Sequence, residues 1–82
     1  MDDIESRLKR CFGLIFPALD EKKISSATMA SVRGWDSIAT VNLVNMVEEE
    51  FGMQIGLDDV EQVVSFTALL NYLQSRADNG RH

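Results

Sequence analysis

The sequence predicts an all-α fold: a bundle of four helices, three longer and one short, with a long first loop. Three observations carry this. The chain has 82 residues, enough for one small domain with one core. Three segments repeat their apolar residues at intervals of three and four, the spacing of a single helix face. Each of these segments also begins beside a residue suited to capping, and the first two end at a residue that stops helices.

The first helix is expected over about residues 3–16, where Ile4, Leu8, Cys11, Phe12 and Ile15 recur. Asp2 is the expected cap, with Glu5 at the reciprocal capping-box position. Pro17, which lacks a backbone N–H, is expected to end the helix. Gly13 inside it costs about 1 kcal/mol against alanine. Residues 17–36 form the long connection, where Ser25, Ser26, Thr28, Ser31 and Gly34 break any period. Ile24, Met29 and Trp35 are the side chains expected to pin it to the bundle. A connection of that length is uncommon in so small a domain and often functional.

The second helix is expected over 37–51, with Ile38, Val41, Val44, Val47 and Phe51 as its buried stripe and Leu43 and Met46 on the flank. Asp36 is a good N-cap and Gly52 a good stop. Residues 53–57, anchored by Ile55 and Leu57, lead to a short helical turn from Asp58 to about Val63. Ser65 then caps a last helix over 66–77, with Phe66, Leu69, Leu70, Leu73 and Ala77 on one face. The expected organisation is a single domain over 1–82, with an ordered core of about 3–77 and a tail at 78–82.

No apolar run approaches the ~20 residues needed to cross a bilayer. The acidic start Met1-Asp2-Asp3-Ile4-Glu5 is unlike a signal or transit peptide, so the expected location is cytoplasmic, away from any membrane. Cys11, the single cysteine, forms no internal disulfide, which agrees with a reducing compartment. The net charge of −5 is unevenly spread: no Lys or Arg lies between Arg33 and Arg76, a stretch holding Asp36, Glu48, Glu49, Glu50, Asp58, Asp59 and Glu61. Such a field repels nucleic acid and anionic lipid and favours partners with basic patches.

Independent catalysis is not expected. His82, the single histidine, is the last residue, so a Ser-His-Asp arrangement would have to recruit it. There is no cysteine pair and no metal-ligand spacing, and Asp58-Asp59 lacks the pattern of a calcium loop. Ser37 is the candidate functional residue. A hydroxyl at a helix N-terminus lies beside unpaired N–H groups and about half a positive charge, which stabilise a phosphate. The neighbouring charge of Asp36 suits a serine recognised by an enzyme better than a site for free phosphate. The plain alternative is that Ser37 is simply part of a helix cap.

The run Gly34-Trp35-Asp36-Ser37-Ile38 resembles the Asp-Ser-Leu motif of acyl carrier proteins. The resemblance continues through Thr40-Val41, Leu43-Val44, Glu48-Glu49-Glu50-Phe51, Gly52 and Ile55, then the Asp58-Asp59 turn and a last helix with Phe66 and Tyr72, covering about residues 3–75. It implies an acyl-carrier-type bundle and a stand-alone, specialised carrier protein acting as a monomer. Ser37 would be the attachment site, with Asp36 part of the motif, for 4′-phosphopantetheine transferred from coenzyme A by a phosphopantetheinyl transferase. The thiol of that arm would hold acyl groups as thioesters for enzymes of fatty-acid, polyketide or related lipid biosynthesis. The second helix would be the docking surface, presenting Trp35, Ile38, Ala39, Asn42, Asn45, Met46, Glu48 and Glu49 to basic patches on those enzymes. Val41, Val44, Val47, Ile55 and Leu69 would be candidates to shelter an acyl chain.

Ala39 and Asn42 stand where members from primary fatty-acid synthesis carry acids, and Asn45 stands at a usually apolar position. This implies a dedicated set of partners. Similar relaxed motifs occur in D-alanyl carrier proteins, so an aminoacyl cargo stays open. From a different class, an unmodified acidic helical adaptor is the alternative. Seven acids without an intervening base repel one another, so moderate salt or divalent cations are expected to raise the melting temperature. A salt series in which the melting temperature stays flat or falls contradicts this.

Overall fold

The computed structural model describes residues 3–79, with the backbone alone for 77–79. The elements run α1 (Ile4–Ile15), a 3-10 helix (Glu21–Ser26), α2 (Ser37–Phe51), α3 (Leu57–Val60) and α4 (Phe66–Asn79). Three longer helices and a short one make an all-helical domain, as expected. The one β-type pairing among the described residues is an isolated bridge between Thr28 and Ser65. No helix among them is long and apolar enough to cross a membrane.

Asp3, not Asp2, caps α1. Its Oδ1 accepts the Ser6 N–H at 2.8 Å, and that bond, made to the charged form, holds its carboxyl below the usual range. Asp2 lies outside the described residues. The helix ends at Ile15, with the N–H of Phe16 still reaching the Phe12 carbonyl at 2.8 Å just before Pro17. Leu8, Cys11 and Phe12 face inward, and burial pushes the Cys11 thiol up in pKa, consistent with an inert core residue.

Phe12 is fully buried and touches three other rings. Its centroid lies 6.0 Å from Phe16, 5.4 Å from Trp35 and 5.2 Å from Phe66, the last two edge-on. Edge-to-face pairs add about 0.5–1.5 kcal/mol each beyond the area they bury. One side chain of α1 thus joins the loop before α2 to the head of α4.

The long connection is more structured than its irregular sequence suggests. Asp20 Oδ1 accepts the Lys22 N–H at 3.0 Å and starts the 3-10 helix, which carries Ile24 into the core. Thr28 and Ser31 exchange N–H-to-hydroxyl bonds, each 3.0 Å. The Met29 N–H then reaches the Val64 carbonyl and the Phe66 N–H the Ala27 carbonyl, both at 2.9 Å. Ile24, half-buried Met29 and Trp35 are the pins, as expected.

The buried face of α2 differs from the expected stripe. Thr40, Leu43, Val44 and Val47 are buried, whereas Ile38 is 73% and Val41 54% exposed. Three residues turn an α-helix about 300°, so a ladder of threes slips about 60° per step. Ile38, Val41, Val44 and Val47 therefore wind around the helix, while 40, 43, 44 and 47 stay on one side. Leu43 is at the centre of the face rather than on its flank. Gly52 ends α2 in the left-handed region, with φ of +62°, and the Met53 N–H reaches the Glu48 carbonyl at 3.2 Å.

The short turn covers only Leu57–Val60 and buries no residue. Leu57, expected as an anchor, is 89% exposed, while Ile55 is buried. The turn is tied to α4 by the Tyr72 hydroxyl, which donates to Asp59 Oδ2 at 2.9 Å. Ser65 Oγ accepts the Ala68 N–H at 3.0 Å at the start of α4. Phe66, Leu69 and Leu73 are buried and Leu70 half-buried. The side chain of Ala77 lies outside the described residues. The helix runs to Asn79, past the expected tail start at 78, because no breaker precedes Gly80. Residues 80–82, including His82, lie outside the description.

Gly13 is exposed, and a methyl group there meets no atom within 4 Å. Gly13→Ala should therefore raise the unfolding free energy by about 1 kcal/mol, a gain of roughly 4–8 °C in a thermal melt. Phe12→Ala should cost about 3–5 kcal/mol, measured by chemical denaturation. That is a large share of the roughly 4–12 kcal/mol typical of this length.

Candidate functional site

The head of α2 is held from both sides of Ser37. Gly34 takes φ of +91°, a turn that side chains resist, and its carbonyl accepts the Asp36 N–H at 3.1 Å. Trp35 is 4% exposed, its ring set against Phe12 and Phe16 at 5.4 Å each. The indole N–H donates to Thr40 Oγ1 at 2.9 Å, and that hydroxyl donates to the Asp36 carbonyl at 3.0 Å. Asp36 Oδ1 accepts the Ala39 N–H at 2.9 Å and completes the cap.

Ser37 is the first residue of α2 and is exposed. Among the described residues its hydroxyl makes no hydrogen bond, and neither do the backbone N–H groups of Ser37 and Ile38. The residues on either side are fixed while this hydroxyl and two donors stay open. The carboxylate of Asp36 is engaged in the cap and the helix dipole points its positive end outward, so a phosphate on Ser37 fits without moving the backbone.

The expected docking residues divide. Ile38, Asn42, Asn45 and Glu49 are exposed and fall on one outward stripe, four, three and four residues apart. Ala39 and Met46 are half-buried against the core at the edge of α2. Of the two roles expected of Trp35, pin of the loop and docking contact, only the first holds: its ring belongs to the core and is closed to a partner. Glu48 is half-buried, and its Oε2 accepts the Ile55 N–H at 2.8 Å. Of the expected shelter residues, Val44, Val47, Ile55 and Leu69 are buried, while Val41 is on the surface.

The acidic cluster is largely an internal device. Arg7 of α1 bonds the Glu50 carboxylate at 2.8 Å and the Glu50 carbonyl, with its guanidinium 4.4 Å from the Phe51 ring centroid. Asp59 accepts from Tyr72. Burial, then the hydrogen bond to Asp59, push the Tyr72 hydroxyl up in pKa. Glu49, Asp58 and Glu61 remain exposed.

Thr40 is the functional-site residue that sequence reasoning missed. It is the only buried polar residue among those described. Its signal was a hydroxyl four residues after the cap, placed to back-bond to the Asp36 carbonyl.

Residues 6–73 match a protein-family model described as a phosphopantetheine attachment site. The match covers most of the 82 residues, and the chain belongs to this family of carrier proteins. Its members hold a 4′-phosphopantetheine arm, are modified by phosphopantetheinyl transferases and serve biosynthetic enzymes rather than catalysing reactions themselves.

Asp36→Ala should lower the unfolding free energy by about 1 kcal/mol through the lost cap. Ser37→Ala, at an exposed position without a bond, should change it by less than about 0.5 kcal/mol. Urea denaturation of both variants beside the parent checks the pair.

Proposed function

We propose that Ser37 carries the 4′-phosphopantetheine arm and that the protein holds acyl groups on it as thioesters for enzymes of fatty-acid, polyketide or related biosynthesis. The observation that supports this most is the open hydroxyl on a rigidly held first residue of α2. In the loading reaction the Ser37 oxygen replaces the leaving nucleotide at phosphorus, and the hydroxyl proton passes to the transferase. The N–H groups of Ser37 and Ile38 then face the new phosphodiester. The arm, once attached, supplies the thiol on which cargo is carried.

Partners would dock on the outward stripe of α2. Ile38 with neighbouring Val41 offers an apolar patch beside Ser37, Asn42 and Asn45 offer neutral hydrogen-bonding groups, and Glu49 offers charge. With Glu48 and Glu50 turned to internal bonds, recognition there rests on apolar and amide contacts more than on acids. The uncharged Ala39 and Asn42 also support a second reading, an aminoacyl cargo of the D-alanyl type.

Intact mass before and after incubation with coenzyme A and a broad-specificity phosphopantetheinyl transferase tests the attachment. The expected result is a gain of one phosphopantetheine unit, absent from folded Ser37→Ala. A gain that persists in Ser37→Ala moves the attachment elsewhere. No gain beside a working control carrier favours the unmodified adaptor.

A further inference from the structure

We propose that a surface groove between the end of α1 and the head of α2 receives the arm's cargo, and that this cargo ends in a carboxylate. The inference rests on Ser37 as the attachment residue and adds a place and a chemical class for what it carries.

The groove is open to solvent and offers about 620 Å³, a volume in the range of small-molecule sites, roughly 300–1,000 Å³. Its position suits delivery from Ser37. Gly34 and Ala39 both line it, three residues before and two after the serine. Three Cα steps place Gly34 no more than about 11 Å from Ser37. The alternative shelter is the core itself. There Val44, Val47, Ile55 and Leu69 are already buried in one packed cluster, so a chain entering must separate side chains at close-packed density.

The lining points to the class of cargo. Leu14, Pro17 and Leu19 supply an apolar bed, and Leu14 is 65% exposed with nothing covering it. Lys23 and Arg33 are the cations lining the groove, both exposed, and neither is in an ion pair among the described residues. Asp20 also lines it, with one carboxylate oxygen taken by the Lys22 N–H, so two bases against one acid leave the lining with a net charge of about +1. On the α2 wall stand Ala39 and Asn42, which add no negative charge. Methylenes laid on an apolar bed, with a terminal carboxylate met by Lys23 or Arg33 at the rim, match this arrangement. A plain alkyl chain leaves the cations unused.

The test compares two cargoes of five acyl carbons. The apo protein is loaded from glutaryl-coenzyme A or pentanoyl-coenzyme A by the transferase, loading is confirmed by intact mass, and nuclear Overhauser contacts are recorded from the acyl methylenes. The glutaryl form should show contacts to the Leu14 and Leu19 methyl groups, with amide shifts at Arg33, Gly34 and Ala39. The pentanoyl form should lack them, and so should the glutaryl form of a folded Lys23→Gln, Arg33→Gln double variant. Contacts to Val44, Val47 or Leu69, or no protein contacts at all, overturn the proposal. Equal groove contacts from both cargoes overturn its carboxylate. Failure to load removes the Ser37 reading itself, which separates that failure from this one.

Discussion

The rest of the structure depends on the seating of Trp35 against Phe12. Phe12 is fully buried on α1, and the rings of Trp35, Phe16 and Phe66 close around it. Three separate pieces of chain meet there: the end of α1, the last residues of the long loop and the first residue of α4. Because the indole also donates to Thr40, which donates to the Asp36 carbonyl, the hydrophobic core reaches the backbone of the α2 cap directly. The same tryptophan that completes the core fixes where α2 begins. Ser37 is exposed between a buried ring and a capped helix turn.

On the proposed reading of Ser37, this is how so small a domain offers a hydroxyl for modification without a walled site. A carrier needs the modified atom accessible to several enzymes, so it cannot be enclosed. It also needs that atom in a constant place, so it cannot sit on a mobile loop. A buried ring one side, a capping carboxylate between, and a helix on the other meet both needs. The open N–H groups of Ser37 and Ile38 then give a phosphate an electrostatic seat that costs no rearrangement.

The acidic half of the chain serves the fold as well as the surface. Glu50 holds α2 to α1 through Arg7, Glu48 ties the end of α2 to Ile55, and Asp59 ties α3 to α4 through Tyr72. Acids near the C-terminal end of a helix oppose its dipole, and two of the three in that run have compensating partners. The exposed outward face of α2 is consequently less charged than the linear sequence implies.

Much of the fold was legible locally. Caps and stops depend on neighbours along the chain, so Asp36, Gly52, Ser65 and the break before Pro17 could be placed from sequence, and so could the serine at the start of α2. Helix phase was harder. Ile38, Val41, Val44 and Val47 form an apolar ladder as regular as a buried face, and only packing against α1 decides that Leu43 goes in while Ile38 and Val41 stay out. The 3-10 helix was invisible because its six residues carry one apolar anchor, Ile24, and no period. Trp35 could be read either as a surface contact or as core, since a large amphipathic ring suits both. Its choice is made by Phe12 and Phe16, more than eighteen residues earlier in the chain. The sequence by itself determined the three longer helices, the cap and stop of α2 and the candidate serine, because these follow from bonds between near neighbours. Only the tertiary structure decided which face of α2 is buried, which acids are spoken for and how rigidly Ser37 is held, because those depend on side chains that meet only after the chain has folded.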